Sequence, residues 1–357
     1  ASHLTNDAPK GALNGVRLGV VRESMVYPKG SVTERPIVNA ATTEIKDVLA
    51  INLCATLVES KDPLWSPDPE LEQMGTDFRK ALAKLVPVFM PDILFRLGPD
   101  GTPLFKEFEA AIKPTVFMPG KRFGKGVMDS IDYCVALAEG TIEAPCNLDI
   151  AAIQPQQLAN TFRFHISQYL LRRAADWKAA GFHEALDNWA ALNARSKFWG
   201  DDQRAAFKNW EEISDPRNPL DGRQGVNERI MLRELLRRVD MMVLIENHLD
   251  AFVRLHTPWP PGVIGQPHQY DVLHNLRPES LYGPNAGLTE ILVPAGYVTT
   301  SYDPVFRLDD DGKKYVSSPS QTPTELDWPG LPFSLVFRSE PGTEDKLMQI
   351  ASAYENA

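Results

Sequence analysis

The sequence predicts an α/β fold in which a long helical insertion separates two α/β ends. Three observations lead there. Near the N-terminus, two β-branched apolar runs flank a stretch of helical periodicity. The middle of the chain reads as long helices divided by Pro and Gly loops. Strand-like runs then return before one closing helix.

Taken in order, "VRLGVVRES" (16–24) reads as a buried strand. In the segment after it, Ile37, Val38, Ala41, Ile45, Val48 and Leu49 recur at helical spacing, and Ser31 or Thr33 is placed to cap the start. "ATLVES" (55–60) reads as a second strand. Strand, helix and strand make a βαβ unit, so residues 1–69 should open with a parallel pair.

Residues 70–256 read as mainly helical. "MGTDFRKALAKLVPVFMPDIL", "DYCVALAEG", the run from Ala159 to Trp199 and "NERIMLRELLRRVDMMVLIENHLDAFVRL" carry apolar residues three and four apart. Between 257 and 288 the chain is dense in Pro and Gly, which predicts an irregular, ordered loop. "TEILVPAGYVTTS" and "FSLVFRS" read as closing strands, and "TEDKLMQIASAYENA" as the last helix of the segment 257–357. The helical middle lies between α/β ends, so the 357 residues are expected to form one domain with an insertion.

Composition bounds the function. The chain is 43% hydrophobic and 24% charged, as in a soluble globular protein with a sizeable core. A net charge of −10 offers no basic surface to nucleic acid or to an anionic membrane. Cys54, Cys134 and Cys146 are too scattered for a disulfide framework or a Cys-based zinc site. They suit a reducing compartment, which leans towards the cytoplasm without fixing it. No run of about eighteen apolar residues and no signal-peptide pattern occurs. The chain starts at Ala1 without a Met, as expected for a cleavage product or the edge of a fragment.

Residue types give no catalytic centre. "GKRFGKG" (120–126) has three residues between its first glycines where a phosphate loop has four, and Gly126 stands where Ser or Thr would bind magnesium. It reads as a basic turn. His248 and His256 share one predicted helix without a His-Glu-x-x-His spacing, and His268 and His274 flank Asp271 in the Pro-Gly loop; ordinary surface or hydrogen-bonded histidines explain them. No G-x-S-x-G elbow is present. "VSSPS" (316–320) has no flanking glycine, and Pro319 removes a backbone donor. The tandem Asp309, Asp310 and Asp311 read as a solvated tip.

The ends of the chain say more. "LNGVRLGVVRES" and "INLCATLVES" resemble the "G-x-R-I-G-V" strand and the following "L-x-x-x-G-A-x-V" strand of the amidase signature family, through Gly15, Arg17, Leu18, Gly19 and Val20, then Ala55, with Leu53 and Val58 as apolar residues near the pattern's L and V slots. Cys54 stands where that family has Gly. "NAGLTEILVPAGY" (285–297) resembles "N-x-x-G-x-P-A-x-x-x-P-A-G" with one residue fewer between Asn285 and Gly287, through Asn285, Gly287, Pro294, Ala295 and Gly296, with Thr289 and Glu290 in place of Pro-Ala. The closing segment resembles "G-L-P-x-G-x-x-L … L-L-x-x-A-x-x-Y-E" through Gly330, Leu331, Pro332, Leu347, Ala351, Tyr354 and Glu355, with Ser334 replacing a Gly and Leu335 lying two residues before the pattern's L slot. Clear matches cover about a third of the chain, always in the family's order.

The resemblance implies the C-terminal part of the amidase-signature mixed β-sheet fold, covered by helices, with "NAGLTEILVPAGY" as a core strand whose end glycines permit tight turns. It also implies hydrolysis of a carboxamide, or a related acyl–nitrogen bond, to an acid plus ammonia or an amine. In that family the catalytic Ser, a second Ser in a cis peptide and a Lys all precede the "G-x-R-I-G-V" strand, which here begins at residue 16. No catalytic residue is therefore expected in this chain, which alone would be inactive. An N-terminal chain carrying the Ser-Ser-Lys set would be its partner, completing the sheet. No metal or organic cofactor is implied, and a homo-oligomer is compatible. The loop from Trp259 to Tyr270 is the expected pocket rim, so Trp259, His268, Tyr270, Asn285 and Gly287 are the candidate substrate-binding residues. Aromatics such as Phe123, Tyr133 and Trp177 are expected to pack between helices. The rival expectation is a non-catalytic scaffold or binding subunit that retains part of the amidase fold.

Overall fold

A computed structural model describes residues 10–26, 32–62, 64–98, 100–117, 121–153, 159–181, 186–197, 226–258, 283, 286–302, 305–308, 315–318 and 322–357. The chain divides into two compact units, Ala1–Ile153 with Leu235–Ala357, and Gln154–Glu234.

In the first unit, β1 (Arg17–Val20) leads through a 3-10 turn (Arg22–Ser24) to α1 (Arg35–Glu44). Thr33 does not cap that helix as expected. Glu34 holds the N-cap without a side-chain bond, and Pro36 in the first turn has no N–H to satisfy; Ser31 lies outside the described residues. The helix continues as a π-helical segment, Ile45–Asn52, so that Ile37, Val38, Ala41, Ile45 and Leu49 all enter the core. β2 (Thr56–Glu59) then pairs in parallel with β1, Arg17 opposite Thr56 and Val20 opposite Glu59, as the βαβ pattern predicts.

β3 (Glu72–Gln73) and α2 (Phe78–Phe89) follow, the helix capped by the Asp77 carboxylate, which accepts from Lys80 N at 2.9 Å. Next come α3 (Lys106–Ala111), the hairpin β4 (Thr115–Phe117) and β5 (Lys121–Phe123), α4 (Ser130–Glu139) and α5 (Ile150–Ile153). "GKRFGKG" thus contributes a hairpin strand. Phe108 meets Phe95, Phe123 and Tyr133 with ring centroids 4.9, 5.7 and 5.0 Å away, an aromatic cluster filling this layer. The second unit contains α6 (Ala159–Ala179) and α7 (Trp189–Arg195). α8 (Val226–Glu246) begins there, and its residues from Leu235 onwards belong to the first unit.

The predicted helix over 227–255 ends at Glu246, and Ala251–Leu255 is instead a strand, β6. His248 adopts φ 53° and turns the chain. Every residue of β6 is buried. A short strand buried on both faces carries no alternation, so its apolar residues extended the helical period by coincidence. Residues 251–255, expected within a helical insertion, therefore lie at the centre of the sheet.

β7 (Thr289–Val298), β8 (Thr300–Ser301), β9 (Val305–Leu308), β10 (Tyr315–Ser318), β11 (Thr324–Glu325), β12 (Leu331–Ser339) and α9 (Glu344–Glu355) complete the chain. The main sheet runs β3-β2-β1-β6-β12-β7, parallel from β3 to β6 and antiparallel from β6 to β7. The fold is mixed α/β. One sheet face packs on α1, its π-helical extension and α9 through Leu18, Val253, Leu335, Phe337, Leu347 and Tyr354. Among the described residues β7 is an edge strand, whereas a core strand was expected. Val293, Ala295 and Val298 are buried, while Leu292 and Tyr297 remain 53% and 58% exposed. Gly287 and Gly296 do take positive φ, 75° and 135°, at the two ends. Gly330, with φ 89°, starts β12 so close to Val298 that a Cβ there would strike the Val298 carbonyl oxygen.

Candidate functional site

From β1 the chain crosses through α1 to β2 on one side, while β6 lies parallel to β1 on the other. In open α/β sheets, ligands bind in the crevice outside the carboxyl ends of strands at such a reversal. At this end stand Val21–Ser24 after β1, Ser60 after β2 and His256 after β6. The ends are tied together: Val21 N donates to Val253 O (2.9 Å), Ser60 N to Val20 O (2.9 Å) and His256 N to Ser334 O (3.0 Å).

Two buried ionic clusters frame this end. In the first, Arg22 Nε meets Glu59 Oε2 at 2.7 Å, with both side chains nearly inaccessible to water. The guanidinium also lies 4.5 Å from the Trp65 ring centroid. Burial lowers the Arg22 pKa from its ordinary value, and Glu59 partly restores it. The second Glu59 oxygen accepts from Asp68 N (2.7 Å) and from Gln73 Nε2. Ser60 Oγ accepts from Arg22 N at 2.9 Å and donates to Glu23. Ser24 Oγ donates to Val21 O at 2.7 Å and accepts from Leu255 N at 3.1 Å. Both hydroxyl protons are thus committed to a carboxylate or a carbonyl. Among the described residues, these serines tie strand ends together through those bonds.

The second cluster spans β6, β12, β7 and α8. Arg254 Nη2 holds both Glu290 oxygens at 3.2 Å, and Arg338 Nε meets Asp240 Oδ2 at 2.8 Å with Glu290 Oε1 at 3.7 Å from Nη1. Complete burial pushes the Asp240 carboxyl up to about 7, outweighing the attraction of Arg338. Burial, with Arg338 adding repulsion, brings Arg254 down to about 10. The His256 imidazole is shifted down by desolvation and then by Arg254. Two guanidinium groups thus face two carboxylates in this cluster.

A cleft of about 670 Å³ also opens between α2 and the end of α4. Its cations are engaged: Arg79 donates to Ala144 O (2.7 Å), Lys80 to Gly75 O (2.7 Å), and Lys84 pairs with Glu246 (3.0 Å). Among the described residues, no three His, Cys, Asp or Glu side chains converge as metal ligands, and no helix is long and apolar enough to cross a membrane.

Of the residues proposed from sequence to line the pocket, Trp259, His268, Tyr270 and Asn285 lie outside the described residues. Gly287 sits in the turn before β7, where a Cβ would come within 2.6 Å of Arg237 Nη2. Its lack of a side chain lets Arg237 donate Nε to Ala286 O at 2.7 Å. The ionic clusters were not anticipated. Their signal was charge inside apolar strands: Arg254 in "AFVRL", Arg338 in "SLVFRS" and Glu290 in "TEILV" each imply a buried partner. Against this geometry, the chain matches no protein-family model and no curated protein.

Proposed function

We propose that this chain is the C-terminal part of an amidase of the amidase signature type, hydrolysing a carboxamide to an acid and ammonia or an amine. One observation carries the reading. Nine of the apolar residues in the four separated segments that resemble that family (Leu18, Val20, Leu53, Ala55, Ala295, Leu335, Leu347, Ala351 and Tyr354) share a single buried core.

In this reading, the Ser nucleophile, the bridging cis Ser and the Lys belong to a segment outside these 357 residues. A neutral Lys takes the nucleophile's proton through the bridging Ser, the Ser attacks the amide carbonyl, and the amine leaves before water releases the acid. The present residues complete the sheet and wall the crevice at the carboxyl ends of β1 and β6. The ionic clusters fix those strand ends, because a misplaced wall costs rate as well as binding.

The test is ammonia release from a panel of aliphatic and aromatic primary carboxamides. The protein isolated from its native cells should turn over at least one of them, and the 357-residue chain alone should turn over none. Turnover by the isolated chain would refute the division of labour, and silence from the native protein across the panel would favour a scaffold or binding subunit.

A further inference from the structure

We draw no further inference here: the strongest candidate, the cleft of about 670 Å³ between α2 and the end of α4, carries nothing, because Arg79, Lys80 and Lys84 already hold the Ala144 and Gly75 carbonyls and Glu246, and the Asp77 and Glu143 carboxylates share the lining, so that the groups present select no ligand chemistry.

Discussion

Cys54 holds φ at 60° where the π-helical extension of α1 ends. Leu53 N donates back to Val48 O at 2.9 Å and Ala55 N to Leu49 O at 2.8 Å, so the left-handed residue is what closes the helix end. A Cβ in this conformation costs about 1–2 kcal/mol, part of which glycine's larger unfolded-state entropy offsets. The Cys54 side chain is exposed and gives up little packing when removed. Cys54→Gly should therefore stabilise the fold by about 0.5–1 kcal/mol, seen as a higher urea midpoint; an unchanged or lower midpoint would contradict the assignment of strain here. Glycine is also the residue that the amidase pattern carries at this position. Asp240 makes a different prediction. Its pKa is raised to about 7 in the folded state, so the native protein holds that proton more tightly than the unfolded chain. The associated stability is complete below the unfolded pKa and is lost as pH rises through about 7. Asp240→Asn removes this titration. Between pH 4 and 8, the stability of the variant relative to wild type should rise by up to about 4 kcal/mol. A pH-independent difference in paired denaturation curves would place the titration elsewhere.

At the scale of elements, the strand ends are held by charge. Arg22 and Glu59 cross-link β1 to β2 from buried positions, and removing one partner leaves the other charge uncompensated. Glu59→Gln should cost about 3–5 kcal/mol in chemical denaturation, whereas breaking the exposed Arg17–Glu72 pair should cost under about 1 kcal/mol. Equal, small losses for both would mean that the buried pair is not what holds these ends. The longer helices and the strands β1, β2, β7 and β12 could be read from the sequence because their signals are local, whereas the short strands β3, β4, β5 and β11 were not. Asp77 and Asp129 cap helices that begin one residue later, and Gly140 ends one in the left-handed region. β6 was misread because five residues buried on both faces show no period of two. The position of β7 at the sheet edge depends on pairing partners, which no local pattern encodes. The ionic clusters were legible only as charges lodged in apolar strands: Asp240 and Arg338 are 98 positions apart, and only the folded sheet brings them to 2.8 Å.

At the scale of the whole molecule, the first unit gathers both ends of the chain around one sheet, so residues near Leu18 and residues near Tyr354 line the same core. The amidase reading rests on that convergence, and it assigns the chemistry to residues beyond this sequence. The most direct measurement is reaction of the protein from its native cells with a serine-directed fluorophosphonate, followed by denaturing intact-mass spectrometry and peptide mapping. The adduct is predicted on a serine in a Gly-Ser-rich segment outside these 357 residues, with the 39.8 kDa portion unlabelled. An adduct on a serine of this chain, or native material in which only an unlabelled 39.8 kDa species appears, would contradict the reading.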